Sequence, residues 1–233
     1  MDWIVTLNGD EHDLQELAKV CNGPELTIEK DAASYIMRSS HFDALISDQE
    51  VRKKTNELLI PINAGIKLEL GASKPIQIDH TVCINPNGTR MINVVCCETM
   101  TMRASCCIES ITSDGKKIIY NPADPIIPLF KSSQSDPAVT TVCQYINQDF
   151  KSWHALYKIY EIIDMNGFSP IQRGGKYRGE SDRFRQSANS YSASGLGARH
   201  AKDSVPPPKN PMKLGEAQSF IKLIIHEWLK TKK

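Results

Sequence analysis

The residues best suited to chemistry in this chain are basic side chains crowded into one C-terminal stretch. The stretch spans residues 173–202 and contains Arg173, Lys176, Arg178, Arg183, Arg185, Arg199, His200 and Lys202. Guanidinium groups form paired hydrogen bonds to phosphate oxygens, and interspersed glycines let backbone amides approach a ligand closely. Because the whole chain carries a net charge of only +1, this local cluster predicts an anion site. A basic loop face that is simply solvated is the alternative interpretation.

His200 is the strongest acid–base candidate in the cluster, because imidazole titrates near neutral pH. Arg199 beside it could hold a phosphate or carboxylate group, and Asn189 could orient the imidazole ring. The sequence therefore predicts His200, Arg199 and Asn189 as catalytic candidates. An adjacent arginine and histidine can also cap helix ends, which is the structural alternative.

The remaining candidates are predicted to bind the ligand rather than to react with it. Arginine and lysine suit phosphate groups and tyrosine can stack on a base, so these candidates are Arg183, Arg185, Lys176, Arg178 and Tyr191. The sequence contains neither the Gly-x-x-x-x-Gly-Lys-Ser/Thr phosphate loop nor the Gly-x-Ser-x-Gly elbow of serine hydrolases. We therefore predict RNA or a nucleotide as the ligand and no bound cofactor.

The same region carries a family resemblance. Residues 187–189 (Ser-Ala-Asn), 197–201 (Gly-Ala-Arg-His-Ala) and 212–217 (Met-Lys-Leu-Gly-Glu-Ala), the last opening a terminal helix, form its pattern. This pattern resembles the C-terminal region of abortive-infection and related HEPN-like bacterial proteins. The resemblance implies a helical domain of the kind found in RNA-binding, RNA-cleaving and phage-defence proteins. Catalytic members resemble one another in an Arg-x4-6-His motif, whereas Arg199 directly precedes His200 here.

The cysteines provide a second, weaker candidate for chemistry. The chain has seven, and Cys96-Cys97 and Cys106-Cys107 are adjacent pairs inside apolar runs. Neighbours on a strand point to opposite faces, so such pairs are predicted to be buried, reduced hydrophobic side chains. A zinc site assembled across strands from His80, Cys83, Cys96 and Cys106 is the alternative, although no Cys-x-x-Cys spacing supports it. We predict no metal.

The elements that must position these residues are predicted to form an α+β fold. Residues 3–7 read as a strand, Asp10 as the N-cap of a helix, and Asp48 as the N-cap of a second helix. From residue 66 to 120 the apolar pattern changes to period two, beginning with a strand at residues 66–70, which indicates a mainly antiparallel sheet. From residue 139 to about 165, and again from 214 to 229, apolar residues recur at helical spacing.

This change of pattern divides the chain into two predicted domains. We expect a mixed α+β domain at residues 1–120, a Pro-rich connector at residues 121–138, and a helical bundle with a long basic loop at residues 139–233. The N terminus lacks the pattern of a signal peptide, and no apolar run approaches the length of a membrane span. The sequence therefore predicts a soluble cytoplasmic protein that does not enter a membrane.

Three functions are compatible with these observations. The first is a binding or scaffold protein whose basic loop engages RNA or a nucleotide. The second is an enzyme that acts on a phosphate-containing substrate through His200 and Arg199. The third is a structural subunit whose loop docks a protein partner. Convergence of Arg199 and His200 with Arg183, Arg185 or Asn189 would favour the first two.

Overall fold

The chain folds into two compact units, Met1–Phe130 and Lys131–Lys233. This architecture comes from a computed structural model that describes residues 2–84, 90–94, 108–111, 117–199 and 206–232. The first unit combines a sheet with helices, and the described part of the second is helical. The α+β class predicted from the sequence is therefore confirmed. None of the helices in the described ranges combines the length and hydrophobicity needed to cross a bilayer.

The first unit is built on antiparallel strands. They are β1 Asp2–Asn8, β2 Asn22–Gly23, β3 Leu26–Asp31, β4 Ser34–Arg38, β5 Gln77–Ile84, β6 Arg90–Val94, β7 Ile108–Ile111 and β8 Lys117–Tyr120. The main sheet has the order β2-β3-β4-β1-β5-β6, and β7 pairs with β8 separately. The predicted first strand thus becomes the central strand of the sheet, hydrogen-bonded to β4 on one side and β5 on the other.

Two helices cover one face of this sheet. They are α1 Glu11–Val20 and α2 Asp48–Gly65. The predicted N-cap of α1 is confirmed, since the Asp10 carboxylate accepts a hydrogen bond from the His12 backbone N–H. Side chains from one face of β1 and from both helices form a continuous apolar core that includes Trp3, Val5, Leu7, Leu14, Leu17, Leu58 and Ile62.

Two local predictions in this unit are wrong. The N-cap of α2 is Ser47, not Asp48, because Ser47 and Glu50 form a reciprocal capping box. The strand expected at Ile66–Leu70 is instead a π-helical turn that continues α2 and ends at Gly71 with φ of 67°. Its alternating apolar residues follow a helix that is already formed, so the backbone extends the existing hydrogen-bond ladder rather than starting a strand.

The second unit is assembled from amphipathic helices. The chain enters it through α3 Ile126–Ser135, and the helices that follow are α4 Pro137–Asp149, α5 Trp153–Met165, α6 Gly175–Asn189, α7 Tyr191–Ser194 and α8 Leu214–Leu229. Helix α8 has the bounds predicted from the sequence. The helix expected across residues 139–165 is two helices, because Ser152 caps a new one by accepting from the Ala155 N–H. The Pro-rich segment at residues 121–138 contains α3, and Pro137 lies in the first turn of α4.

An aromatic cluster joins α5, α6 and α8. Its centre is the fully buried Phe184, whose ring centroid lies between 5.4 and 6.0 Å from four others. Those four rings belong to Trp153, Tyr157, Tyr160 and Phe220. The cluster fixes the rotation of α6 about its axis, and therefore decides which basic residues of α6 face α5.

Candidate functional site

Half of the predicted basic loop, which spans residues 173–202, is helix α6, so the loop prediction is wrong for residues 175–189. Its N-terminus follows Gly174, which has φ of 69°, a conformation that glycine adopts without steric cost. In an α-helix, residues two positions apart point about 200° apart around the axis. Arg183 and Arg185 therefore cannot contact one ligand side by side, as a loop would have allowed.

Three predicted site residues converge on Tyr157 of α5. The Arg199 guanidinium carbon lies 4.3 Å from the centroid of the Tyr157 ring. The Asn189 amide Nδ2 lies 3.5 Å from the Tyr157 hydroxyl oxygen. A side-chain hydrogen bond to Tyr157 raises the pKa of Arg185 above its ordinary value. Two cations and an amide from separate parts of the sequence thus meet at one phenol.

Glu161 balances part of the positive charge in this cluster. One turn beyond Tyr157 on α5, it places Oε1 at 3.0 Å from Arg199 Nη2, and its Oε2 accepts from Lys158. The Arg199 and Glu161 side chains each keep about a quarter of their surface exposed. The Arg199 cation is therefore partly neutralised but still open to solvent.

Asn189 is held in one amide orientation. Its Nδ2 donates to the Arg185 backbone carbonyl at 2.9 Å, and a carbonyl can only accept, so the opposite orientation would place two acceptors together. Oδ1 is consequently fixed as a buried acceptor with no hydrogen-bond partner within the described ranges. Such an orphaned acceptor is unusual in a folded protein and needs an explanation.

The segment that carries Arg199 is anchored at two points. The Arg199 backbone N–H donates to Ala188 O at 2.9 Å, at the C-terminal end of α6. Gly197 packs so closely on Trp153 that a Cβ at this position would lie 3.1 Å from the Trp153 Cδ1. The absence of a side chain at Gly197 thus permits the close approach that brings Arg199 over Tyr157.

Arg183 serves another part of the fold. Its Nε donates to Asn210 O at 2.9 Å, and its Nη2 lies 3.0 Å from both carboxylate oxygens of Glu216, in the first turn of α8. These bonds tie α6 to the start of α8 on the side away from Tyr157. We leave Arg183 out of the proposed site for this reason.

The other predicted ligand-binding residues are distributed along and just beyond α6. Arg178 lies on the helix and is exposed, the backbone of Lys176 lies in its first turn, and Tyr191 is 44% exposed at the start of α7. His200 falls outside the described residues. Its predicted catalytic role therefore stays a prediction, whereas its chain neighbour Arg199 is placed beside Asn189.

Sequence reasoning did not select Tyr157 or Glu161 for this site. Tyr157 appeared only as one member of the apolar face of α5, since nothing in its neighbourhood distinguishes it from a core aromatic residue. The available signal is the spacing of Tyr157 and Glu161, four positions apart on a helix, which places a phenol and a carboxylate on one face.

Of the residues of the alternative zinc site, the two that the structure describes, His80 and Cys83, do not come together. Cys83 lies opposite Trp3 in the strand register and belongs to the apolar core, whereas His80 lies opposite Thr6. Residues three apart on a regular strand face opposite sides of the sheet, so His80 and Cys83 cannot share an ion. Cys96 and Cys106 lie outside the described residues.

The described residues contain one other group with metal-ligand chemistry. The side-chain donor atoms of Asp10, His12 and Asp13 lie within 4.8 Å of one another. Asp10 is the N-cap of α1, and Asp13 lies in its first turn, where carboxylates stabilise the helix dipole. We interpret this cluster as a helix cap.

Comparison with known proteins adds no functional information. No protein-family model, curated protein or solved structure matches this chain. The function must therefore be argued from the geometry around Tyr157.

Proposed function

We propose that the unit spanning Lys131–Lys233 binds the phosphate of a nucleotide unit, in RNA or as a free nucleotide, between Arg185 and Arg199. The observation that carries this proposal is the convergence of two guanidinium groups on Tyr157. A phosphate there would receive charge-assisted hydrogen bonds from two donors that are already positioned.

The cluster has donor capacity beyond its internal bonds. A guanidinium group carries five N–H donors, and Glu161 engages Arg199 through Nη2. Asn189 Nδ2 and the Arg185 side chain both donate to the Tyr157 hydroxyl oxygen, which leaves the phenolic proton as a further donor.

Tyr191 supports the choice of a nucleotide over a simple anion. It follows the end of α6 by two residues, and 44% of its surface is exposed. Exposed aromatic rings beside cationic residues bind nucleic-acid bases by stacking, with each stacked base contributing roughly 1 to 3 kcal/mol. The HEPN-like resemblance, with its expected RNA-binding and phage-defence roles, is compatible with this proposal.

The test compares Arg199→Ala, Arg185→Ala and Glu161→Gln with the wild-type protein. Binding of a fluorescein-labelled single-stranded RNA oligomer is measured by anisotropy, with AMP and inorganic phosphate as competitors. Each arginine substitution is expected to weaken binding about tenfold or more, because each removes a charge-assisted hydrogen bond worth roughly 1.5 to 3 kcal/mol. Glu161→Gln is expected to tighten binding by up to about fivefold, because it removes the competing carboxylate.

Arg38→Ala is the matched control. Arg38 is also a partly exposed, ion-paired arginine, but it contacts Asp2 and Glu29 in the first unit. The Arg38→Ala substitution changes the net charge by the same amount as Arg199→Ala or Arg185→Ala. It is expected to leave RNA binding unchanged. Competition by AMP but not by phosphate would identify recognition of the nucleoside in addition to the phosphate.

Two results would overturn the proposal. One is equal weakening by Arg38→Ala, which would indicate a nonspecific charge effect. The other is a lower melting temperature in Arg199→Ala and Arg185→Ala with no RNA or AMP binding by the wild type. That result would favour the interpretation of the cluster as a structural link in a partner-binding subunit.

A further inference from the structure

Three side chains in the first unit form a continuous hydrogen-bonded relay. Thr6 Oγ1 lies 2.9 Å from His80 Nε2, and His80 Nδ1 lies 2.9 Å from Asp79 Oδ2. A hydroxyl, an imidazole and a carboxylate in this order are the arrangement by which a base-activated nucleophile is recognised. None of the three belongs to the Tyr157 cluster.

The sheet brings these residues together through an irregularity. Thr6 on β1 pairs directly with His80 on β5, but Leu7 pairs with Ile78, so Asp79 is an extra residue without a counterpart in β1. Consecutive strand residues normally point to opposite faces. The bulge at Asp79 relaxes that alternation and lets its carboxylate reach the imidazole of the next residue.

One arrangement of the protons would make this relay catalytic. With Asp79 as an ionised acceptor, His80 Nδ1 donates to it. A neutral imidazole in that tautomer has its lone pair at Nε2, where the Thr6 hydroxyl can donate across the 2.9 Å that separates the two atoms. This is the direction in which a general base withdraws a proton from a hydroxyl nucleophile.

The relay runs from the interior of the sheet to solvent. Thr6 is 4% exposed, and its cross-strand neighbour Ile36 is buried as well. The His80 and Asp79 side chains are 24% and 34% exposed. The hydroxyl is thus held in an apolar setting, while the base that would carry its proton reaches water.

We infer that Thr6, His80 and Asp79 form a reactive site, separate from the proposed nucleotide-binding site, which transfers an acyl or phosphonyl group from an activated ester to Thr6. Thr6 Oγ1 would attack the electrophilic carbon or phosphorus, and its proton would move to His80 Nε2. The bond to the leaving group breaks, and the departing anion takes up that proton. Asp79 positions the imidazole and stabilises its charged form. In the acyl case, water would then hydrolyse the Thr6 ester.

A fluorophosphonate reagent tests the first half of this reaction. Attack by Thr6 forms a phosphorus–oxygen bond and releases fluoride, and intact-mass measurement with peptide mapping locates the product. We expect one equivalent of label on Thr6, none on Thr6→Val, and retained labelling on Thr6→Ser. His80→Gln should slow labelling about a hundredfold or more, since general-base assistance contributes at least that factor.

Thr27→Val is the matched control. Thr27 is also a strand threonine in this sheet, but its hydroxyl donates to the Gly23 carbonyl rather than to an imidazole. It is more exposed than Thr6, so labelling governed by exposure alone would modify Thr27 first. Thr27→Val is expected to leave the rate and extent of labelling at Thr6 unchanged.

The positioning role of Asp79 has its own readout. Asp79→Asn should lower the maximal labelling rate while leaving the half-saturating reagent concentration unchanged, and Asp79→Glu should restore part of the rate. Circular dichroism checks that each variant is folded. The inference is overturned if the folded wild type stays unlabelled, if Thr27 is labelled as fast as Thr6, or if Thr6→Val retains the label.

Discussion

Tyr157 is the residue on which the proposed nucleotide site depends, and the space around it is set by a glycine. Gly197 lies against Trp153, one helical turn before Tyr157 on α5. A methyl group at position 197 would sit 3.1 Å from the Trp153 Cδ1, which is closer than a relaxed contact between carbon atoms. The site therefore requires a residue without a side chain at this point.

Gly197→Ala should destabilise the second unit and weaken nucleotide binding. Displacing the segment moves Arg199 away from the Tyr157 ring, and overpacking of this kind costs roughly 1 to 3 kcal/mol. Urea unfolding measures the first effect, and RNA anisotropy measures the second.

Gly179→Ala, in the same unit, is expected to have the opposite effect on stability. Nothing lies within 4 Å of a Cβ placed at Gly179 in α6, so alanine is expected to stabilise the helix by roughly 0.5 to 1 kcal/mol. If Gly197→Ala leaves stability unchanged or raises it, as Gly179→Ala is expected to do, the contact between Gly197 and Trp153 does not limit the fold.

At the scale of elements, the start of α4 and the end of the chain are joined through Asp136. Its carboxylate accepts from the Ala138 N–H as the N-cap of α4, and it pairs with Lys232 Nζ at 2.7 Å. The hydrogen bond with Lys232 and the cap hold the pKa of Asp136 below its ordinary value of 3.8. The ionised form is therefore favoured in the folded protein.

This arrangement predicts a pH-dependent contribution to stability. A carboxyl group whose pKa is lowered by folding contributes stability that is complete above its unfolded pKa and is lost as the pH falls through the folded pKa. Asp136→Asn keeps a capping oxygen but loses the charge, so it should cost about 0.5 to 1 kcal/mol at pH 7. That difference from the wild type should shrink below pH 3.8.

Chemical unfolding of both proteins at several pH values measures the difference. A difference in the free energy of unfolding that stays constant down to pH 2 would show that the charge of Asp136 does not contribute to stability. Asp136→Ala removes the cap as well, and should cost about 1 kcal/mol more than Asp136→Asn at neutral pH.

At the scale of the whole molecule, each unit has its own buried core, and each contains at least one buried thiol. Cys21 lies in the first core and Cys143 in α4 of the second unit. Burial raises the pKa of both thiols to about 12, so neither is a reactive thiolate at neutral pH while its unit is folded. Each thiol therefore reports unfolding of the unit that contains it.

We predict that the two units unfold separately in urea. Pulsed thiol alkylation followed by peptide mass spectrometry should give different midpoints for Cys21 and Cys143. Trp228→Ala should lower only the Cys143 midpoint, because Trp228 is fully buried in the second unit, and removing such a side chain costs roughly 3 to 5 kcal/mol. Equal shifts at both cysteines would show that the chain unfolds as one cooperative body.

The sequence by itself determined those elements whose signals are local. The Asp10 cap, the aromatic and β-branched residues of β1 and the apolar stripe of α8 are each read within one element, and the structure confirms all three. Capping and periodicity depend on hydrogen bonds and faces within a few residues, so no tertiary information is needed. Ile66–Leu70 failed as a strand because the helix before it propagated through the segment.

Only the tertiary structure decided which polar residues meet. Arg185, Asn189 and Arg199 were selected from their clustering in the sequence and their side-chain chemistry, but their shared partner Tyr157 lies on another helix. The rotation of α6 about its axis separated Arg183 from them, and that rotation depends on the packing of Phe184 against α5 and α8. The relay from Thr6 to Asp79 likewise depends on strand register and a bulge. Such contacts join residues far apart in the chain, and packing between elements, not local propensity, selects them.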